Sequence, residues 1–158
     1  MNFLTEHGIS SYGELESKLN AVSARRDTAH AEIKRIESRS AEIALVMKHA
    51  GTYRQIKPLY DRYRKSNDKE KFLRGHESEI ILFEAAAREL KRLGAVPLPT
   101  TESMKAEFAN LNEEKERLLA EYKAARTEAQ EYDTVKQNVD ALLAVPKEQK
   151  QQRRHELE

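Results

Sequence analysis

The sequence predicts an all-α protein, an elongated antiparallel helical bundle or coiled-coil hairpin with a smaller helical middle segment. Three observations predict it. Ala, Glu, Lys, Leu and Arg make up over half of the 158 residues, while Gly and Pro number only 5 and 4. Short alkyl and long straight side chains lose little rotamer freedom in a helix, so this alphabet favours long helices. Apolar residues recur at alternating spacings of four and three along two long stretches, the period of a helix with one buried seam. With 35% of residues charged and a mean hydropathy of -0.82, the apolar side chains can cover only narrow seams.

The first helix is predicted over about residues 11–50. Ser11 and Glu14 stand three apart as a capping box. From there one seam position takes Leu15, Val22, Ala29, Ile36, Ile43 and Ala50. The second takes Leu19, Arg26, Ile33, Ser40 and Met47, with Arg26 and Ser40 as its polar breaks. Gly51 and Pro58 follow, and a helix crossing Pro58 loses a backbone donor and is expected to kink or restart. A separate short helix is therefore expected over about 52–65, carrying Tyr53, Ile56, Tyr60 and Tyr63.

Ser66, Asn67 and Asp68 offer capping groups for a helix over about 68–93. Its stripe is Phe72, Leu73, Ile80, Phe83, Ala87, Leu90 and Leu93, and Gly94 suits a left-handed residue just past its end. Pro97 and Pro99 stop the chain, and Thr100 or Thr101 caps a last helix over about 101–144. Its seam is Met104, Phe108, Leu111, Leu118, Tyr122, Ala125, Tyr132, Val139 and Leu142, and Pro146 is expected to end it. The organisation expected is one helical domain over 1–145 and a flexible tail over 146–158, which is polar and Gln-rich. Two seams of similar length are expected to pack on each other, favouring a monomer over a dimer.

Composition narrows the chemistry. The chain has no Cys, which excludes disulfides, thiolate metal sites and a cysteine nucleophile. None of His7, His30, His49, His76 and His155 lies within four residues of another, so no local metal-ligand spacing exists. The glycines are too dispersed for a phosphate-cradling loop or a Gly-x-Ser-x-Gly elbow. No apolar run reaches the roughly 18 residues of a membrane span, and residues 1–8 carry no secretion signal. The expectations are no metal, no cofactor, no membrane, no catalytic residues and a cytoplasmic location.

Charge distribution is more informative. Residues 48–74 carry nine basic groups against three acids, whereas residues 101–145 carry ten acids against six bases. A near-neutral total thus conceals a basic segment. Arg54, Lys57, Arg62, Arg64, Lys65 and Lys69 are candidate phosphate ligands, and Tyr60 or Tyr63 a candidate platform for a base, as in single-strand binding. The competing account has Tyr53, Tyr60 and Tyr63 filling a junction between helices, with the cations solvated.

Several segments in order also carry a resemblance. Asn2 to Ile9, Ser11 to Leu15, Tyr53-Arg54-Gln55-Ile56-Lys57-Pro58-Leu59-Tyr60, Tyr63-Arg64-Lys65, Lys71-Phe72-Leu73 with His76-Glu77, Leu98-Pro99, and Tyr132 to Asp140 resemble a region downstream of the nuclease domain in mobilisation relaxases of Gram-positive conjugative elements. The likeness covers about residues 2–143. Such relaxases nick one DNA strand with a tyrosine and a metal held by a His-rich motif, and that motif is missing here. The resemblance therefore implies a non-catalytic helical accessory region, with DNA near a transfer origin, or coupling and accessory transfer proteins, as partners. The alternative is a structural coiled-coil spacer or oligomerisation module without DNA contact.

Overall fold

The computed structural model describes residues 11–156, with side chains described through residue 144. The segment Asn2 to Ile9, which opens the relaxase resemblance, lies outside the described residues. Among the described residues there are three helices and no strands: α1, Tyr12–Lys65; α2, Lys69–Arg92; and α3, Thr101–Glu156. The chain divides into two compact units, one of Met1–Ile33 with Glu116–Glu158 and one of Lys34–Lys115.

The helix ends form as local chemistry dictates. Ser11 Oγ accepts from the Glu14 backbone N–H at 3.2 Å, filling one of the donors a helix start leaves open. Asp68 Oδ1 accepts from the Lys71 N–H at 3.1 Å, and Thr100 Oγ1 accepts from the Ser103 N–H at 3.1 Å. At the end of α2, Gly94 takes φ +70°. Its N–H reaches the Lys91 carbonyl, and the Ala95 N–H reaches that of Leu90. This pair of bonds is the Schellman closure, and it needs a residue that tolerates the left-handed region, hence glycine.

In the first unit, the start of α1 packs antiparallel on the later part of α3. Leu15, Val22, Ala125, Ala129 and Tyr132 form the core, with Leu19, Val135 and Val139 packed against it. Polar pairs flank this seam: Tyr12 donates to Asp140 at 2.7 Å, Lys136 meets Glu16 at 3.6 Å, and Arg25 meets Glu128 at 2.8 Å. The His30 and Tyr122 rings lie 5.7 Å apart. Each step forward along α1 is matched by a step back along α3, as antiparallel pairing requires. Arg26 is half-buried at its seam position and turns its guanidinium to Asp27 at 3.1 Å, reaching out of the seam along its apolar stem.

The second unit is a three-helix bundle of α1 from Lys34, α2 and the first turns of α3. Ile36, Ile43, Val46 and Ala50 of α1, Ile80, Phe83, Ala86 and Leu90 of α2, Ala95 of the connection, and Met104 and Leu111 of α3 are buried. Arg39 grips Glu107 with two nitrogens, at 2.8 and 3.2 Å. Lys115–Glu37 at 3.4 Å and Arg35–Glu114 at 3.7 Å continue the α1–α3 pairing. Ser40, the second polar seam position, buries its hydroxyl without a hydrogen-bond partner.

Four expectations are corrected. The helices expected over 11–50 and 52–65 are one, because α1 runs unbroken past Gly51 and Pro58 to Lys65. Tyr53 and Tyr60, on either side of Pro58, both stack on Phe83, and that packing holds the helix together across the proline. Helix α3 likewise passes Pro146 and continues to Glu156, through residues such as Lys, Glu, Gln and Arg that are good helix formers. Leu142 is 73% exposed, because α1 begins opposite Asp140 and offers nothing further to pack against; Phe108 lies at the margin of its seam. Finally, α2 contains a break at His76 (φ -136°, ψ 25°), beside Gly75, which no local signal marked.

Two outcomes follow. Ile36 is fully buried, so Ile36→Ala should lower stability by about 2–5 kcal/mol in urea denaturation, whereas Ile81→Ala, at a half-exposed site, should stay within about 1 kcal/mol. The hydrogen bond to the Asp140 carboxylate, with that carboxylate's negative charge beside it, pushes the Tyr12 hydroxyl up from 10.0 to about 12. A folded pKa above the unfolded one means that this contribution is complete below pH 10 and is lost as pH rises through 12. Ultraviolet titration should show a tyrosine ionising near pH 12 that disappears in Tyr12→Phe.

Candidate nucleic-acid interface

All eight residues singled out as nucleic-acid ligands fall in the second unit, along the last turns of α1 and the first residue of α2. Helices α1 and α2 form an antiparallel hairpin closed by Ser66 to Asp68. The Ser66 N–H bonds the Tyr63 carbonyl at 3.2 Å, and the Asp68 N–H bonds Ser66 Oγ at 3.3 Å. These contacts define the tip of the hairpin.

Aromatic packing holds its two arms together. Phe83, buried on α2, has Tyr53 stacked on it at 4.7 Å and Tyr60 at 4.2 Å, each tilted by 24°. The two tyrosines are seven residues apart on α1, two helical turns on one face, so they grip a single ring. The series continues toward the tip. Tyr63 lies 5.8 Å from Tyr60 and 6.0 Å from Phe72, and His76 lies 4.8 Å from Phe72. Offset aromatic pairs of this kind contribute roughly 0.5–1.5 kcal/mol each beyond the area they bury. Tyr60 and Tyr63 therefore spend ring surface on holding the hairpin, in the geometry expected of junction-filling tyrosines.

The cations separate into two groups. Arg54 donates to the Pro99 carbonyl at 2.6 Å and to Thr101 Oγ1 at 2.7 Å, which ties the α2–α3 connection to α1. Lys57 pairs with Asp61 at 3.1 Å, one turn away on its own helix. Arg62, Arg64, Lys65 and Lys69 are exposed, and among the described residues none of them has an ion-pair or hydrogen-bond partner. Lys71 is exposed in the same way, and Arg74 Nε reaches only the Glu70 carbonyl at 3.4 Å. These two belong to the same surface although the spacing of the α1 cations did not include them; the charge run through residue 74 was the signal.

The tip thus carries six cations against Asp68 and Glu70 over residues 62–74. Elsewhere in the second unit, Arg35, Arg39 and Lys115 are neutralised across the α1–α3 contact. Beside the tip, Thr52, Gln55, Ile56, Pro58, Leu59, Arg62, Glu79 and Leu82 line an open groove of about 630 Å³. Among the described residues no group of three His, Asp or Glu side chains is placed to hold a metal ion, and no helix is long and apolar enough to cross a membrane. Chemically the tip can neutralise anions, and nothing assembled there pairs a nucleophile with a base.

Compared with protein-family models, curated proteins and solved structures, the chain matches none of them.

Removing the shared ring tests the role of the clamp. Phe83→Ala should cost about 3–5 kcal/mol and collapse the near-ultraviolet circular dichroism of the tyrosines. An exposed change at Arg88→Ala should leave both within error.

Proposed function

We propose that this chain is a non-catalytic helical region of a DNA relaxase acting in conjugative mobilisation, and that its basic hairpin tip helps hold DNA near the transfer origin. The observation that carries the DNA-binding part is the gathering of Arg62, Arg64, Lys65 and Lys69 at one end of the second unit, exposed and without partners among the described residues. Unpaired surface cations repel one another and are relieved by phosphate, whose binding releases condensed counterions. The relaxase assignment rests on the ordered resemblance from Ser11 to Asp140. Within it, the segments Tyr53 to Tyr60 and Tyr63 to Lys65 supply the α1 arm of the hairpin. The location that goes with this reading is the cytoplasm.

The burial of Leu15, Val22, Ala29, Ile36, Ile43 and Ala50 within a single chain favours a monomer, since no seam position of this series is left for a second copy. The same burial is what a spacer without DNA contact would need, and this is the competing account. In either account the acidic α3 is the surface suited to a transfer protein such as the coupling protein.

Fluorescence anisotropy with labelled DNA over a salt series separates the two. Wild type should bind at low salt with an affinity that falls steeply as salt rises, and Arg62→Glu/Arg64→Glu/Lys65→Glu should weaken binding roughly tenfold or more with unchanged helicity. No binding by wild type even at low salt would leave the spacer.

A further inference from the structure

The tip contains cations that helix stability does not call for. Arg62, Arg64 and Lys65 sit in the last turn of α1, where positive charge complements the negative end of the helix dipole. Lys69 and Lys71 do the opposite. Lys69 is the first residue of α2 and Lys71 the third, at the positive end of the dipole, where acids are favoured and cations disfavoured. Only Glu70 of the first turn is acidic. Among the described residues no carboxylate pairs with Lys69 or Lys71 to relieve this. Two helix ends of opposite polarity therefore present the same sign of charge on either side of a three-residue turn.

The tyrosines limit how that charge can be used. A single-strand site combines cations that track the backbone with rings whose faces are open to bases. Here Tyr60 is stacked on Phe83 at 4.2 Å, and Tyr63 is wedged between Tyr60 and Phe72. Tyr53, Tyr60 and Tyr63 are all partly buried. Of the backbone donors at the start of α2, that of Lys71 is already taken by Asp68. The tip presents mainly side-chain charge on a preformed helical hairpin.

We infer that the α1–α2 tip binds the phosphate backbone of duplex DNA without reading sequence, using Arg62, Arg64 and Lys65 from one helix and Lys69, Lys71 and Arg74 from the other, and that its tyrosines do not stack on bases. This rests on the DNA-binding reading above and narrows it to a ligand form. The cations of two helices flank one turn, which suits the closely spaced charges of a double strand, and contacts made only by long flexible side chains to phosphate carry no sequence information.

The test uses the whole chain with duplexes of two unrelated sequences and a single strand of equal phosphate number. The chain has no Trp and six Tyr, so intrinsic fluorescence reports directly on tyrosine stacking. Duplex should bind at least as tightly as single strand, the two duplex sequences should differ by less than about threefold, and tyrosine emission should be unquenched. Lys69→Gln/Lys71→Gln should reduce the slope of log affinity against log salt by about 2, while leaving the melting temperature equal or higher, because two misplaced cations are gone. Preference for the single strand with quenched tyrosine emission would overturn the inference and leave DNA binding standing. So would duplex binding with a slope indifferent to Lys69→Gln/Lys71→Gln. Absence of binding to every probe at low salt would remove both.

Discussion

One strip of side chains on α1 governs the structure. Leu15, Val22, Ala29, Ile36, Ile43 and Ala50 repeat every seventh residue, and every one of them is buried. A chain this charged cannot build a broad core, so its stability depends on keeping one narrow apolar line covered along a helix of 54 residues. Helix α3 answers with a strip of the same period, Met104, Leu111, Leu118, Ala125 and Tyr132, also buried throughout. Ion pairs flank the strips from Lys136–Glu16 to Arg39–Glu107, each later on α1 and earlier on α3 as antiparallel pairing requires. Those exposed pairs contribute at most about 1 kcal/mol each. Their effect is more on register than on stability.

The seams were legible because period is a local property of sequence. The caps at Ser11, Asp68 and Thr100 and the glycine at the end of α2 were legible for the same reason, since each is decided within a few residues. Continuity through Pro58 was not. A proline inside a helix costs about 3 kcal/mol by local rules, and what offsets it is Phe83, twenty-five residues further along the chain. Small residues were the other blind spot. Ala86 and Ala129 are buried, whereas Phe108 and Leu142, larger and more apolar, lie at the margin or outside. Burial at a helix contact follows angular position and the reach of the neighbouring helix more closely than it follows hydrophobicity. For the candidate interface, sequence located the charge, and tertiary structure sorted it. Nothing local distinguishes Arg54, committed to Pro99 and Thr101, from Arg62, which has no partner among the described residues.

The hairpin of the second unit shows how a helical arm can be held with few contacts. Toward the tip the α1 and α2 arms meet through rings, each beside the next, from Tyr53 through Phe83, Tyr60 and Tyr63 to Phe72 and His76. Flat side chains with two rotatable bonds give large contact area at small entropic cost. The break in α2 at His76 lies at the end of this series, about two helical turns beyond Asp68. An arm secured in this way needs little apolar surface near its tip, which leaves that surface available to charge.

The volumes facing each other in the first unit differ by helix. Around Leu15, Leu19 and Val22 of α1, the opposing core residues of α3 include Ala125 and Ala129, with Tyr132 closing the cluster. Opposite Ala125 and Ala129, large side chains of α1 thus meet small ones of α3. Two copies of α1 set face to face would crowd branched side chains together, and two copies of α3 would leave voids at the alanines. Like helices are poor partners and unlike helices good ones. A second copy that used this same seam would do so by exchange, its α1 taking the place of the resident α1.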